Sequence, residues 1–367
     1  MFSGSYLDSD VEFLLKKIDI QETDVKTKEE NIQNKNIHYS EMISQEYVPT
    51  KEYLDIFYQS LENNIDKFAT DIFKFSQALK NRIDNKQKDK NIALVSLARA
   101  GTPIGVLIKR TLKNLFNLDL KHYSISIIRD REIDQNALLH ILKSHKDSEI
   151  LFIDGWTGKG VINRELKKFI SEFNQKYNQN ISSDLFVIAD ISGKADFSVT
   201  NEDYLIPSSA LNSTVSGLVS RTILNRNFIS DTDFHGCKFY SEFKNNDLSL
   251  WFVDEVSTKI KKLFFDKNIY TKISFLERDI SLEKKVEKFL KQVKIDFNIL
   301  DINHIKPGIA ETTRVLLRRV PDLIIVKDLK NQDTTHLQKL AFDKNVKLIE
   351  INNLPYTSVG IIKNLKK

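Results

Sequence analysis

One loop carries side chains suited to binding a sugar phosphate. An apolar run, residues 150–153, ends at Asp154, and the loop continues to Gly160, where a helical segment begins. A Thr-Gly turn at a helix start offers a hydroxyl and backbone N–H groups to a phosphate, and the helix dipole assists. The loop is not a Walker A motif, because Ile153 stands where that motif has its first glycine. We predict that Asp154 holds ribose hydroxyls and that the phosphate is bound by Thr157, Gly158, Lys159 and Gly160.

Two further loops follow apolar runs and carry basic residues. Guanidinium groups and main-chain amides at such positions are suited to binding anions. The alternatives are a ligand-free tight turn at 154–160 and a solvated charged loop at 129–132. The candidate residues of the two loops are Arg99, Ala100, Gly101 and Thr102 in the first and Arg129 and Arg131 in the second.

A thiol and an imidazole form a different candidate site. Cys237 is the only cysteine of the chain and lies two residues from His235. A nearby base makes a thiol a useful nucleophile, although a lone cysteine is commonly a small buried apolar residue. Just before this pair, the hydroxyl-rich segment 207–222 contains Asn212 and Arg221. That segment either lines an acceptor pocket or forms a polar loop that enters a helix.

Short apolar runs position the loops. The runs alternate with amphipathic helical patterns at 103–115 and 162–173 and cover residues 92–97, 123–128, 150–153 and 185–191. This alternation predicts an α/β fold with a mainly parallel sheet, which binds ligands at the carboxyl ends of its strands. We expect four regions, namely a mostly helical N-terminal flank or cap (1–90), the α/β core (91–240), a connector (241–271) and a C-terminal domain (272–367).

The C-terminal region has a pattern and a charge of its own. Predicted helices at 282–292, 310–318 and 335–344 alternate with predicted strands at 272–275, 297–301, 323–327 and 347–351, which indicates an α/β/α sandwich. Residues 272–367 contain 19 Lys and Arg against 12 Asp and Glu, whereas the remainder contains 36 against 38. A nucleic-acid surface is therefore expected in this domain.

Composition excludes several classes of protein. A single cysteine rules out an internal disulfide framework and every multi-cysteine metal site, and no metal-ligand set is predicted. No apolar stretch approaches the length that spans a bilayer, and residues 1–10 have neither the basic nor the apolar part of a signal peptide. We expect a cytoplasmic protein without a membrane partner.

Five segments, in this order, resemble the bacterial StiP family: residues 2–7, 38–42, 98–103, 154–160 and 235–237. That family is associated with tellurium-resistance and stress-response gene clusters and is labelled a cysteine protease, while its fold is grouped with phosphoribosyltransferases. Segment 154–160 is similar to the ribose-5-phosphate loop of those transferases. The resemblance implies binding of 5-phosphoribosyl diphosphate or a nucleotide, with Mg²⁺. The pyrophosphate would be held by residues 99–102 and by Arg129 and Arg131 in a mobile hood.

Three functions remain open on these grounds. The first is a phosphoribosyltransferase-like enzyme, and the second is a cysteine peptidase that uses Cys237 and His235. The third is a non-enzymatic sensor of a nucleotide and RNA.

The C-terminal domain is similar to the Pelota/L7Ae group of RNA-binding domains. The resemblance lies in segment 308–318, in the strand after it and in segment 354–360. In that group a glycine opens a helix whose acidic and basic side chains face bent RNA. The resemblance implies RNA binding by Gly308, Glu311, Arg314 and Arg318, with Lys306 and Arg319 extending the basic edge.

Overall fold

The computed structural model describes residues 1–24, 27–28, 31–32, 37–85, 92–146, 148–266 and 273–364. The strands of the N-terminal part are β1 (Glu12–Phe13), β2 (Lys16–Lys17), β3 (Glu22–Thr23), β4 (Ile43–Ser44), β5 (Ile92–Leu97), β6 (Lys121–Ile125), β7 (Ile127–Ile128), β8 (Glu132–Ile133), β9 (Glu149–Thr157), β10 (Leu185–Asp190), β11 (Phe197–Ser198), β12 (Gly236–Cys237) and β13 (Leu276–Glu277). Its helices are α1 (Lys51–Asn85), α2 (Gly101–Phe116), α3 (Gln135–Ser144), α4 (Val161–Tyr177) and α5 (Ser249–Asp266).

A seven-stranded sheet forms the centre of this part. Its order is β1-β6-β5-β9-β10-β11-β13, and neighbouring strands are parallel except β11 and β13. Every residue of β5 and of β10 is buried, as expected for strands covered by helices on both faces. The predicted α/β class with a mainly parallel sheet is therefore confirmed.

The predicted connector contains a helix of the core. Helix α5 packs against α1 and α2, and its Phe252 and Val256 are fully buried. Phe252 stacks on Phe68 of α1 with ring centroids 6.0 Å apart. Phe252 therefore belongs to the main hydrophobic core, Phe264 packs against it, and helix α5 is part of the core domain and not a linker.

The predicted mostly helical flank over 1–90 contains α1, but residues 1–24 and 37–50 are not α-helical. Residues 1–24 and 37–50 form short strands, turns and a 3₁₀ turn. Strand β1 extends the edge of the central sheet beside β6, and β2 pairs with β12. These pieces are held by pairing with distant strands, so local periodicity gives no signal of them.

The C-terminal domain is a four-stranded sheet with three helices. The elements are α6 (Ile280–Asp296), β14 (Ile305–Pro307), α7 (Ile309–Arg318), β15 (Pro321–Val326), α8 (Thr335–Asp343), β16 (Lys347–Glu350) and β17 (Ser358–Ile362). The sheet order is β14-β17-β15-β16, with β17 antiparallel to both of its neighbours. Helix α7 packs against β14 and β17.

Two predicted strands of this domain are wrong. Residues 297–301 form turns, and Asn298 has a left-handed backbone with φ of 49°. Residues 273–275 are irregular, and residue 272 lies outside the described residues. The next strand, β13, completes the edge of the core sheet, so the domain boundary lies after it. No helix in the described parts of the chain is both long enough and apolar enough to cross a membrane.

Candidate functional site

A cavity of about 880 Å³ opens where strands β5 and β9 end. The two strands are parallel neighbours, so the loops that follow them meet at one edge of the sheet. Residues 97–100 and Asp154 form the floor, and segments 43–50 and 208–216 form two walls. The remaining wall comes from the C-terminal domain. The charged residues that line the cavity are Lys28, Glu46, Arg99, Asp154, Arg221, Lys306, Glu311, Arg314, Arg318 and Arg319.

Asp154 lies in the C-terminal half of β9 and lines this cavity, although the strand continues past the predicted loop start to Thr157. One carboxylate oxygen accepts a hydrogen bond from the backbone N–H of Gly155 at 2.8 Å. Burial raises the pKa of Asp154 to about 7, and the charge of Glu311 across the cavity adds to this effect. The carboxyl group therefore titrates near neutral pH and is suited to accepting hydrogen bonds from a polar ligand.

The rest of the predicted phosphate turn does not face the cavity. The Thr157 hydroxyl accepts a hydrogen bond from the N–H of Gly160 at 3.0 Å, and the carbonyl of Gly158 accepts one from the Tyr356 hydroxyl at 2.8 Å. A Cβ at Gly158 would lie 3.0 Å from the carbonyl oxygen of Pro307. The turn is thus packed beneath the C-terminal domain, and the assignment of Thr157, Gly158 and Gly160 to a phosphate is corrected.

Lys159 also serves the contact between the two domains. Its ammonium group donates to the carbonyl oxygens of Ile302 and Ile305, both at 3.0 Å. Burial lowers the pKa of Lys159 to about 7, and the charge of nearby Lys306 contributes. The side chain therefore ties the turn to the segment before β14, and its predicted role at a phosphate is not supported by this geometry.

The loop after β5 is divided between the cavity and the core. Arg99 and Ala100 line the cavity, and the peptide bond before Arg99 is cis. Arg99 pairs with Glu46 at 2.7 Å and donates to the side-chain oxygen of Asn212 at 2.9 Å. Thr102 is buried, with its hydroxyl 2.8 Å from that of Ser124, so its predicted contact with pyrophosphate is wrong.

Gly101 begins helix α2 close to the end of β9. A Cβ at this position would lie 2.5 Å from the carbonyl oxygen of Ile153, so the close approach of the two loops requires glycine. Gly101 therefore sets the distance between Arg99 and Asp154 instead of holding a ligand with its own atoms.

The two arginines predicted for a mobile hood lie outside the cavity lining. Arg129 pairs with Asp130 at 2.9 Å and reaches the side-chain oxygen of Asn303 at 3.3 Å. Arg131 pairs with Glu41 at 2.7 Å. Both lie in the turn of the short β7–β8 hairpin, outside the cavity, so their assignment to pyrophosphate is corrected.

The helix predicted to face RNA faces the cavity instead. Arg314 of α7 stacks over the Trp156 ring at 4.8 Å and pairs with Glu311 at 2.9 Å. Arg318 donates to the carbonyl oxygen of Ala210 at 2.9 Å. Lys306 and Arg319 line the same cavity. The predicted RNA-binding side chains are thus brought together, but on an inward wall shared with the core.

A carboxylate of the core fixes the start of this helix. Asp203 accepts hydrogen bonds from the N–H of Ile309 at 2.9 Å and from the N–H of Thr357 at 2.7 Å. Burial raises the pKa of Asp203 to about 6. Gly308 has φ of 94°, and a Cβ there would lie 2.5 Å from the Ile191 side chain. Gly308 therefore packs against the core domain, and RNA cannot reach it as predicted.

Cations outnumber carboxylates in this cavity. Seven Lys and Arg side chains line it, against three Asp and Glu side chains. Burial lowers the pKa of Arg318 to about 9, with contributions from Arg314 and Arg99, and lowers that of Arg221 to about 10. A site of this kind favours an anionic ligand.

Sequence reasoning did not assign some cavity residues. Glu46 lies in an irregular segment without a motif, and only its pairing with Arg99 reveals a role. Arg221 and Asn212 lie in the hydroxyl-rich segment 207–222, for which an acceptor pocket was one of two predictions. Residues 208 and 211–216 and Arg221 line the cavity, which favours that prediction.

Cys237 and His235 do not form a nucleophile and base pair. The imidazole of His235 contacts the Ser126 hydroxyl at 2.8 Å and a Glu132 carboxylate oxygen at 3.4 Å. Cys237 is 0% exposed within the main hydrophobic core, and burial raises the pKa of its thiol to about 12. A thiol in this state is protonated and inaccessible at neutral pH.

Comparison with known proteins gives two family matches and one full-length relative. The model described as "Tellurite-like stress resistance cysteine protease StiP" matches residues 4–257, and the "PELOTA RNA binding domain" model matches residues 284–364. The "Cysteine protease StiP" of Acinetobacter baylyi is 36% identical over 377 aligned positions, which cover 100% of this chain and 95% of that protein.

Two solved structures show weak likeness. A hypothetical protein from Neisseria gonorrhoeae with bound ppGpp has a TM-score of 0.20 and 14% identity, over 32% of this chain and 65% of that one. A hypoxanthine-guanine-xanthine phosphoribosyltransferase has a TM-score of 0.23 and 15% identity, over 37% of this chain and 79% of that one.

Proposed function

The chain belongs to the StiP family, and from that premise we propose that it binds 5-phosphoribosyl diphosphate, or a nucleotide-like product, in the cavity beside Asp154. One observation carries the proposal: a carboxyl group in the C-terminal half of a parallel strand lines a cavity in which cations outnumber carboxylates. A volume of about 880 Å³ lies within the range of small-molecule sites.

Each group has a part in this proposal. Asp154 accepts hydrogen bonds from the ribose hydroxyls, and the guanidinium groups of Arg99, Arg221, Arg314 and Arg318 hold the phosphates. Transfer of the ribosyl group passes through an oxocarbenium-like state at the anomeric carbon. Catalysis would therefore consist of stabilising the leaving diphosphate and excluding water. The enzyme class proposed is a glycosyltransferase.

Magnesium fits this cavity as a companion of the ligand. No cluster of three or more His, Cys, Asp and Glu side chains able to hold a metal occurs in the parts of the chain that the structure describes. The carboxylates of Asp154 and Glu311 line the cavity, and phosphate oxygens are the other ligands that Mg²⁺ prefers. Bound there, Mg²⁺ would neutralise charge on the diphosphate.

The test is calorimetric titration of 5-phosphoribosyl diphosphate with Mg²⁺ into the wild-type protein and the Asp154→Asn variant. We expect binding to the wild type and a loss of at least about tenfold in the variant, since a hydrogen-bonded charge is removed. Equal affinity in a folded variant contradicts the role of Asp154. Binding without turnover of any nucleobase or RNA acceptor favours a sensor.

A cysteine peptidase is the second candidate, favoured by the family description and by the name of the relative. Cys237 would have to be its nucleophile, since the chain contains one cysteine. In the structure this thiol is buried, so the peptidase requires a rearrangement of the β2–β12 pair. Loss of a measured peptidase activity in Cys237→Ala supports this candidate, and retention of that activity excludes Cys237 as the nucleophile.

RNA is a proposed second partner, supported by the match of residues 284–364 to the RNA-binding domain model. The side chains of α7 line a cavity, so a duplex does not reach them while the two domains are in contact. We propose that a single-stranded end, which is narrower than a duplex, enters the cavity. We expect a single-stranded oligonucleotide to bind more tightly than a blunt hairpin in a gel-shift assay, and equal binding contradicts this route. The setting we propose is the stress response named in the family description.

A further inference from the structure

We infer that helix α7 of the C-terminal domain completes the small-ligand site, so that a diphosphate group is held between Arg318 of that domain and Arg221 of the core. The inference rests on the proposed function in placing the ligand in this cavity. It goes further by singling out one arginine from each domain as the pair that holds the diphosphate and by making the ligand a link between the two domains.

The charge balance singles out these two arginines. Arg99 and Arg314 are neutralised by carboxylates, Arg99 by Glu46 at 2.7 Å and Arg314 by Glu311 at 2.9 Å. Among the described residues, no carboxylate lies within salt-bridge distance of Arg221 or Arg318. Each domain thus contributes to the cavity an arginine that has no carboxylate at salt-bridge distance among the described residues, Arg221 from the core and Arg318 from α7.

The partners of these two groups are neutral carbonyl oxygens. Arg318 donates to Ala210 at 2.9 Å, and Arg221 donates to Met42 at 2.7 Å and to Tyr39. The Nε atom of each arginine is buried without a hydrogen-bond partner in the described structure. Leaving a buried cation short of partners is costly, so an anion that reaches both groups would be strongly favoured.

Arg99 lines the same cavity and is close enough to affect both of these groups. Burial lowers the pKa values of both Arg318 and Arg221, and in each case the charge of Arg99 contributes. A single cavity therefore gathers guanidinium groups from the β5 loop, from segment 207–222 and from α7. A diphosphate carries enough charge and enough oxygen atoms to contact such a set, whereas a single neutral sugar does not.

The arrangement also connects the ligand with the contact between the domains. Because Arg318 belongs to α7, a bound diphosphate would link the C-terminal domain to the core. The same ligand would keep α7 facing inward and away from RNA. We therefore expect the bound ligand to protect α7 as well as the loops of the core.

The first experiment titrates inorganic pyrophosphate into the wild-type protein and the Arg318→Met variant. Replacement of an incompletely paired buried cation by an apolar side chain of similar length should preserve folding. We expect at least about tenfold weaker binding in Arg318→Met and partial recovery in Arg318→Lys. The matched control is Arg164→Met on helix α4, whose side chain is 71% exposed and lies outside the cavity lining. The control should bind within about twofold of the wild type.

The second experiment needs no variant. Hydrogen–deuterium exchange of the wild-type protein with and without pyrophosphate should show slower exchange in both α7 and segment 208–221. Protection confined to the core, or unchanged affinity in Arg318→Met, overturns the inference. If 5-phosphoribosyl diphosphate binding depends on Asp154 while pyrophosphate binding is indifferent to Arg318, the proposed function stands and this inference fails. The reverse pattern retains the diphosphate site and rejects the ribose site.

Discussion

The cavity and the surroundings of Cys237 differ in how well they satisfy their polar groups. In the cavity, Asp154 and Arg318 are half-buried charged groups with few partners, and loss of solvent moves their pKa values to about 7 and about 9. Around Cys237, the imidazole of His235 has partners on both ring nitrogens, and the thiol lies in apolar surroundings. Polar groups of the cavity therefore still lack hydrogen-bond partners among the described residues, whereas the imidazole beside Cys237 is already paired and the thiol is packed in the core.

This difference shows that a chemical pair in sequence is a weaker sign of function than charges left short of partners in a cavity. Buried charges that lack partners lower stability, and such costs concentrate at functional sites. The imidazole of His235 is hydrogen-bonded and the thiol of Cys237 is protonated, so neither group lowers stability in a way that a bound substrate would reverse.

The thiol of Cys237 should react very slowly in the native protein. A pKa of about 12, against an ordinary value of about 9, lowers the thiolate fraction at pH 8 by a factor of about a thousand, and burial slows access further. We expect alkylation by iodoacetamide, followed by mass spectrometry, to be at least about a thousandfold slower in native than in guanidinium-unfolded protein. Comparable alkylation rates in native and unfolded protein would show that the thiolate is accessible and would support the peptidase hypothesis.

The Asp154→Asn variant should be more stable than the wild type at pH 8. The pKa of Asp154 is raised in the folded state, so the folded protein binds more protons than the unfolded chain between about pH 4 and pH 7. The free energy of unfolding of the wild type therefore falls as pH rises through this window. The Asp154→Asn variant does not lose this stability, because asparagine cannot ionise. We expect a gain of about 2–4 kcal/mol in the free energy of unfolding at pH 8 and almost none at pH 4. Urea denaturation at the two pH values measures it.

The control for this prediction is Asp10→Asn. Asp10 is buried and accepts hydrogen bonds from Arg110 at 2.7 and 2.6 Å. Its removal leaves Arg110 with one fewer charged partner, so this variant should be less stable at pH 8. Destabilisation of both variants at pH 8 would show that Asp154, like Asp10, stabilises the folded protein and is not a strained residue of a ligand site.

Replacing Cys237 by alanine should change stability and leave ligand binding intact. Loss of a buried sulfur atom creates a small void, which costs about 1–2 kcal/mol of unfolding free energy. Affinity for 5-phosphoribosyl diphosphate should remain within about twofold, because the thiol lies outside the cavity lining. Calorimetry measures the affinity, and urea denaturation measures the free energy of unfolding. A large loss of affinity would show that Cys237 supports the ligand site.

Replacing Tyr356 by phenylalanine should have the smallest effect. The variant loses the hydrogen bond from the Tyr356 hydroxyl to the carbonyl oxygen of Gly158, which joins the turn after β9 to the C-terminal domain. We expect about 1 kcal/mol of lost stability in urea denaturation and a change in ligand affinity of less than about threefold. No loss of stability would show that this contact does not support the cavity.

The sequence predicted those elements that have a local apolar pattern. It did not predict the elements whose structure depends on contacts with distant residues. The buried runs at 92–97 and 185–191 correctly indicated parallel strands, and the acid at the end of another run correctly placed Asp154 at a cavity. Strand β1 and the pairing of β2 with β12 depend on residues more than a hundred positions away. The inward orientation of α7 likewise follows from its docking on Asp203, which no pattern within the C-terminal domain reveals.

The central claim is tested most directly by a crystal structure of the protein grown with 5-phosphoribosyl diphosphate and Mg²⁺. We expect electron density in the cavity, with ribose hydroxyls at hydrogen-bond distance from Asp154 and the diphosphate between Arg221 and Arg318. Density bound elsewhere, with the cavity containing only solvent at a saturating ligand concentration, would contradict it.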